Sequence, residues 1–166
     1  MSYLQMINDF DSITRENRWN AEVDRFLEEK YFPFDLIEQF HTRWTVSGHH
    51  IRAQIDDDSR LIKLLRHMLP KYSGMDLVLY RGENVQRWVK NMVGLCWTTS
   101  KTTARMFGSG LNSVKSGGLL IKCVCKAEWI IAGPSAHSRY LGEEEYTVDT
   151  SLISNVEIIE QYDPIL

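Results

Sequence analysis

The feature that most constrains the fold is a change of hydrophobic pattern near residue 74. Before it, apolar residues recur every three or four positions, as on one face of an α-helix; after it, they form short runs broken by Gly and Pro. Helical and strand patterns in separate halves predict an α+β domain. A chain of 166 residues suits one core better than two. We therefore expect a single domain, 1–166, with a helical portion over residues 1–73 and a β-rich portion over residues 74–166.

Three helical segments are predicted in the first portion. The first lies in DSITRENRWNAEVDRFLEEKYF, where Asp11 or Ser12 offers a start and one face carries Trp19, Val23 and Phe26. The second lies in PFDLIEQFHTRWTVSGHHIRAQI and is expected to break at SGHH. The third lies in DDDSRLIKLLRHMLPKYSG, whose acidic start and basic end suit the helix dipole.

Short apolar runs predict the strands of the second portion: MDLVLYRG, LCWTTS, GGLLIKCVCKAEWIIAG, EEYTVDTSLI and SNVEIIEQY. Within LLIKCVCKA the residues alternate, and the apolar side consists of Leu119, Ile121, Cys123, Cys125 and Ala127. This period of two is typical of a half-solvated strand. The segment Ser109–Gly118 is interpreted as a loop that covers a ligand or simply connects two elements.

Composition narrows the class of protein. The formal net charge of −3 gives no reason to expect a nucleic-acid partner. Three cysteines, an odd number, are expected to be reduced thiols in a cytoplasm, and CVC lacks the second Cys/His pair that a metal site needs. MSYLQMINDF lacks the pattern of a signal peptide, and no apolar run reaches membrane-spanning length. We expect a cytoplasmic monomer without metal or membrane partner.

Three stretches carry the candidate chemistry. In YRGE, Arg81 lies at the end of the first predicted strand, where a loop is expected to begin. CWTTSKTTARMFG predicts a strand, a turn and a short helix, with a hydroxyl residue as its cap and Gly108 as its stop. In YLGEEEYTVD, Glu143 and Glu145 share one face if the strand begins there. Paired carboxylates at a strand mouth suit acid–base chemistry; the alternative is a solvated acidic turn.

In this order and spacing, from Leu77 to Val148, the three stretches resemble the arginine–serine–glutamate branch of the ADP-ribosyltransferase family. That branch includes binary clostridial toxins, vertebrate ecto-transferases and small phage and bacterial enzymes. The resemblance implies a split core of two β-sheets with an N-terminal helical layer. It also implies that NAD is the substrate, and that ADP-ribose is transferred to a target protein with release of nicotinamide.

By this resemblance, Arg81 binds NAD, and main-chain groups at Gly82 bind the nicotinamide carboxamide. The family's Ser-Thr-Ser motif aligns with Cys96-Trp97-Thr98, or one residue later with Trp97-Thr98-Thr99. Because Cys96 is a weak hydrogen-bond donor, either Thr98 holds the catalytic glutamate or that glutamate is held loosely. Phe107, on the following helix, is interpreted as a core residue or a cofactor contact.

The same resemblance makes Glu145 the catalytic glutamate and Glu143 the residue that selects the acceptor, here arginine. Tyr140 corresponds to an aromatic residue that contacts the target protein; the alternative is a ring that packs its own turn. The assigned catalytic set is Arg81, Thr98, Glu143 and Glu145.

Other functions remain open at this stage. The same site can act as an NAD glycohydrolase or modify nucleic acid, and a degenerate domain can keep the fold only to bind a partner. With no translocation or receptor-binding segment recognised in the sequence, the expected setting is a phage enzyme acting on host proteins, or a bacterial effector or toxin.

Overall fold

The computed structural model describes the backbone of residues 3–166 and the side chains of residues 9–166. The first two residues of MSYLQMINDF, which lacks the pattern of a signal peptide, lie outside this range. The chain forms two compact units, one containing residues up to Lys71 with Ser135–His137, the other Tyr72–Pro134 with Ser138–Leu166. The break at Lys71 lies close to the change of sequence pattern.

Four helices form most of the first unit: α1 Tyr3–Arg15, α2 Trp19–Glu28, α3 Phe34–Ile55 and α4 Asp58–Met68. The predicted first helix is therefore two helices, and its start at Asp11 or Ser12 was wrong. The chain turns between α1 and α2 because Asn17 adopts a left-handed conformation with φ of 56°. The predicted break in the second helix is confirmed, since Ser47 has non-helical angles inside α3.

Aromatic side chains fill the interior of this unit. Phe10, Trp19, Phe26 and Phe40 lie with ring centroids 5.4–6.1 Å apart. The predicted apolar face of Trp19, Val23 and Phe26 is fully buried, so that prediction is confirmed. Rings at these separations combine a large buried area with favourable edge and stacking contacts.

Six strands form an antiparallel sheet in the second unit: β1 Leu77–Asn84, β2 Cys96–Thr98, β3 Gly118–Cys125, β4 Ile130–Ala132, β5 Glu145–Val148 and β6 Glu157–Tyr162. Their order is β4-β5-β2-β1-β3-β6. The short helices α5 Val85–Val89, α6 Lys101–Ser109 and α7 Ala136–Leu141 lie between strands along the chain. The α+β class is thus confirmed.

The predicted division into two sheets needs correction, because the described strands form one continuous sheet. However, β1 and β2 are joined by a single residue pair, Tyr80 with Thr98. In contrast, β1 pairs with β3 along all of its residues, and β2 pairs with β5 along all three of its residues. The sheet consists of two three-stranded halves that meet at one narrow junction.

One face of this sheet carries an apolar core that includes Leu79, Trp97, Ile121 and Val148. The predicted alternation in β3 is confirmed for its buried side, although Ala127 lies in a 3₁₀ turn after the strand. The segment Ser109–Gly118, interpreted as a loop, is held by hydrogen bonds from the side-chain amide of Asn84 to two of its carbonyl groups.

Candidate active site

Arg81 lies inside β1, not at its end as the sequence predicted, because β1 continues to Asn84. Its Nε donates to Glu83 Oε2 at 2.7 Å, and its Nη1 donates to the carbonyl oxygen of Cys96 at 2.7 Å. The first bond stays within β1 and the second reaches β2. The guanidinium therefore spans the narrow junction between the two halves of the sheet.

Glu83 is the carboxylate that pairs with Arg81, and its side chain is only 1% exposed. Glu83 Oε2 also accepts from the N–H of Gly94 at 2.8 Å, and Oε1 accepts from the N–H of Asn84 at 2.8 Å. Arg87 Nε lies 3.3 Å from Oε1. Burial alone would raise the pKa of Glu83, but the charge of Arg81 and these hydrogen bonds hold it below its ordinary value.

The guanidinium of Arg81 keeps donors for a ligand. Burial works to lower its pKa, yet the charge and hydrogen bond of Glu83 outweigh burial and raise that pKa above the ordinary value. A guanidinium has five N–H donors, and two of those in Arg81 bond to described residues. Three donors of a permanently charged group therefore remain for an anion.

Glu145 begins β5 and is the most unusual carboxyl group in the described part of the chain. Its N–H donates to Ser138 Oγ at 2.8 Å, which fixes the start of the strand. Its side-chain Oε2 is buried and has no hydrogen-bond partner among the described residues. Burial, assisted by the charge of Glu143 and opposed by that of Arg81, raises the pKa of Glu145 to about 7.

Strand pairing brings the candidate residues together. Tyr80 pairs with Thr98, and Thr98 pairs with Glu145, so three adjacent strands present these side chains in one row. Arg81 and Glu145 are close enough for each charge to shift the pKa of the other. The row contains Tyr80 and not Arg81, whose side chain alternates to the other face of β1, so the link between Arg81 and Glu145 is the effect of each charge on the pKa of the other.

The hydrogen bond from Thr98 to Glu145, one of the two predicted alternatives, is not present among the described residues. Thr98 Oγ1 accepts from the N–H of Ser100 at 3.0 Å, and no hydrogen bond joins it to Glu145 among the described residues. Ser100 Oγ in turn accepts from the N–H of Thr103, so Ser100 is the cap of α6. The hydroxyl groups after β2 thus organise the turn into the helix.

The acidic turn before β5 differs from the predicted alternation. Glu144 has a left-handed backbone with φ of 46°, and the strand begins only at Glu145, so the argument that Glu143 and Glu145 share a strand face does not apply. Glu143 still acts on Glu145 through its charge. Glu144 accepts from Thr99 Oγ1 at 3.1 Å. Tyr140, just before the turn, is 87% exposed and therefore does not pack its own turn.

Two of the predicted cofactor contacts, Trp97 and Cys96, have structural roles of their own. Trp97 is 1% exposed and donates to the carbonyl oxygen of Gly94, so its ring belongs to the core. Cys96 is half-buried, and its carbonyl group binds Arg81. Phe107 is half-buried on α6, and its contact with a cofactor stays a prediction.

Gly82 also has a structural reason to be glycine. A methyl group there would overlap the backbone of Ala104 and Gly108, because α6 crosses β1 at this point. The carbonyl oxygen of Gly82 accepts from the side-chain amide of Asn112 at 2.7 Å. Gly108 lies within α6 and does not end it as predicted; its missing side chain permits the same close approach.

Sequence reasoning missed Glu83, Gly94 and Ser138. Glu83 was visible in principle, since an acid two residues after Arg81 on a strand lies on the same face. Gly94 allows its backbone to lie directly against Arg81, and Ser138 contributes a single hydroxyl group. The sequence carries no distinctive signal for either role.

None of the described helices is long and apolar enough to cross a membrane. Within residues 3–166, no group of three or more His, Cys, Asp or Glu residues could hold a metal ion. Comparisons of the chain with protein-family models, curated proteins and solved structures found no match.

Proposed function

We propose that this protein is an NAD-dependent mono-ADP-ribosyltransferase that modifies arginine on a target protein. The observation that carries the proposal is the buried Oε2 of Glu145, which has no hydrogen-bond partner among the described residues and whose carboxyl group feels the charge of Arg81. Burying a carboxylate without a partner is unfavourable. Such a group is a frequent mark of a functional site, because a ligand can supply the missing bond.

Glu145 would act on the sugar of NAD. Breaking the bond between C1′ and the nicotinamide nitrogen leaves the electron pair on nicotinamide and positive charge on the ribose, as in glycoside hydrolysis. A carboxylate that accepts a hydrogen bond from the ribose 2′-hydroxyl stabilises this charge more than it stabilises uncleaved NAD. That difference is the condition for a faster reaction.

Arg81 would hold the diphosphate of NAD through its three remaining N–H donors. Planar guanidinium groups match phosphate oxygens well, and the charge does not depend on pH in the physiological range. Arg81 would therefore fix NAD while Glu145 acts on its ribose.

The acceptor would meet Glu143 and Tyr140. A guanidine nitrogen of the target arginine forms the new bond to C1′, and its proton passes to Glu143 or to solvent. Tyr140 is highly exposed on α7, three residues before Glu143, which suits contact with a partner protein.

Incubation with radiolabelled NAD, with and without a bacterial lysate, tests the proposal. We expect label on protein with the wild-type chain and with Glu144→Gln, and none with Glu145→Gln. Glu144 is the matched control because it undergoes the same chemical change next to the site. Free ADP-ribose alone would indicate a glycohydrolase, and label on RNA or DNA would indicate a different acceptor; either result would contradict the proposal.

One observation favours a second candidate, a domain that keeps the fold but only binds a partner. The carbonyl of Gly82, beside the arginine that should bind NAD, already accepts a hydrogen bond from Asn112. If that bond excludes the carboxamide of nicotinamide, NAD will not bind. Calorimetry that detects no NAD binding to the wild-type chain would support this candidate.

A further inference from the structure

Glu83 stands at the centre of a buried hydrogen-bond cluster that the proposed reaction does not itself use. Its two carboxylate oxygens accept from three different groups: the guanidinium of Arg81, the N–H of Gly94 and the N–H of Asn84. A carboxylate this fully bonded and this deeply buried is rigid. It is therefore suited to fix the direction of a neighbouring charged group.

Gly94 completes the cluster beside the guanidinium of Arg81. A methyl group on Gly94 would overlap the guanidinium of Arg81, so the side chain of Arg81 lies directly against this glycine. The backbone of Gly94 is tied in place because its N–H binds Glu83 and its carbonyl accepts from the indole of Trp97 at 3.0 Å. Arg81 is thus confined between a fixed carboxylate and a fixed backbone.

This confinement determines which donors of Arg81 are used. Nε binds Glu83 and one N–H of Nη1 binds the Cys96 carbonyl, which leaves the remaining donors on the two terminal nitrogens. Glu83 also offsets one positive charge, while Arg87 contributes another on its far side. The three side chains together keep one net positive charge.

We propose that Glu83 is a positioning residue, which together with Gly94 holds the guanidinium of Arg81 at the junction of β1 and β2, where its charge acts on Glu145 and on a bound anion. The role in NAD turnover rests on the proposed function, but the positioning itself does not. Glu83→Asp withdraws the carboxylate by one methylene group, and Gly94→Ala displaces the guanidinium from the other side. Both variants keep the buried charge of the cluster.

A carboxyl-carbon NMR titration of Glu145 in the full chain tests the positioning without any ligand or turnover. Because Arg81 lowers the pKa of Glu145 from what burial alone would give, Arg81→Met is expected to raise the titration midpoint above about 7. Glu83→Asp and Gly94→Ala are expected to raise it in the same direction. Gly133→Ala is the matched control, since a methyl group there meets only ordinary contacts.

Two results would overturn the inference. The first is a midpoint that rises with Arg81→Met but keeps its wild-type value in both Glu83→Asp and Gly94→Ala. The second is a midpoint that Arg81→Met leaves unchanged, because the guanidinium would then not face Glu145. Gly94→Ala serves as an independent measurement should Glu83→Asp fail to fold.

The enzymatic consequence is measured separately. If the wild-type chain transfers ADP-ribose, Glu83→Asp should lower kcat/KM by up to about a hundredfold, the effect of misplacing a group by about 1 Å, while Gly133→Ala retains it. Unchanged kcat/KM in both Glu83→Asp and Gly94→Ala would contradict the positioning role. If the wild-type chain transfers no ADP-ribose, the proposed function fails and the NMR titration still decides the positioning.

Discussion

At the scale of single residues, the contrast between two buried carboxyl groups is informative. Glu83 and Glu145 both lie in the sheet, yet the pKa of Glu83 is lowered and that of Glu145 is raised to about 7. The difference comes from partners: Glu83 has an arginine and two backbone N–H groups, whereas Glu145 Oε2 has none among the described residues. Different environments thus shift the pKa values of the two carboxyl groups in opposite directions.

The raised pKa of Glu145 predicts that this residue lowers stability as pH rises. Between its unfolded pKa near 4.5 and about 7, the folded state binds more protons than the unfolded state, so stability falls with pH across that window. The full loss is of the order of 3 kcal/mol. Glu145→Gln removes this loss of stability because Gln does not ionise. In urea unfolding, the variant should be more stable than wild type at pH 8 and similar to wild type at pH 4.5.

The matched control for this prediction is Glu144→Gln, which alters an exposed carboxyl group in the adjacent position. Compared with wild type, Glu144→Gln should show no gain in the free energy of unfolding that depends on pH. If Glu145→Gln is no more stable than wild type at pH 8, the carboxyl group of Glu145 is not held in an unfavourable environment.

Glu143 allows a second test at the residue scale. Its charge raises the pKa of Glu145, so Glu143→Gln should shift the pH–rate midpoint of NAD cleavage to lower pH. Because Glu143 is assigned to the acceptor, the variant should lose transfer to arginine but retain some NAD hydrolysis, measured as label on protein and as free ADP-ribose. Equal loss of both products would contradict this division of roles.

At the scale of elements, the packing of α6 on β1 determines where the site residues lie. The helix crosses the strand at Gly82, one residue after Arg81, and backbone meets backbone at Gly108. Since neither backbone can move aside cheaply, Gly82→Ala should destabilise the protein by about 3 kcal/mol, at the upper end for an overpacked core. Urea unfolding measures this free energy.

Gly133→Ala is the control for the effect of the substitution itself, because its methyl group has room. It should leave the free energy of unfolding unchanged or slightly higher, as a less flexible unfolded chain allows. Equal stability of the two variants would show that α6 does not approach β1 as closely as described.

The elements also show what sequence can and cannot predict. Period-two alternation located the buried side of β3, and the SGHH break located the kink of α3, because both signals are local. The extension of β1 beyond Arg81 was missed, since it depends on pairing with Leu120, Leu119 and Gly118 of β3. Trp97 was assigned to the cofactor because its burial is set by residues distant in the sequence.

At the scale of the whole molecule, the change of hydrophobic pattern predicted both the α+β class and the approximate position of a boundary. The expected change after residue 73 lies close to the division after Lys71. The sequence could not predict that Ser135–His137 belongs with the first unit, because a three-residue segment has no pattern of its own. That both units form one domain stays a prediction.

The pairing of strands also determines where the residues of the candidate site lie. Sequence order suggested Arg81 and Glu145 as partners, and the register of β1, β2 and β5 aligns Thr98 with Tyr80 and with Glu145. Sequence could not reveal the buried, unbonded oxygen of Glu145 or the carboxylate that holds Arg81. Those features depend on which hydrogen-bonding groups surround each side chain in the folded protein.

The central claim is that Arg81 and Glu145 act on one bound NAD, and calorimetric titration with NAD tests it most directly. Glu145→Gln is the suitable background, since it should bind NAD without cleaving it. We predict that Glu145→Gln binds NAD and that adding Arg81→Met weakens this binding at least about tenfold, the effect of losing about 1.4 kcal/mol. Failure of Glu145→Gln to bind NAD, or equal binding after Arg81→Met, would contradict the claim.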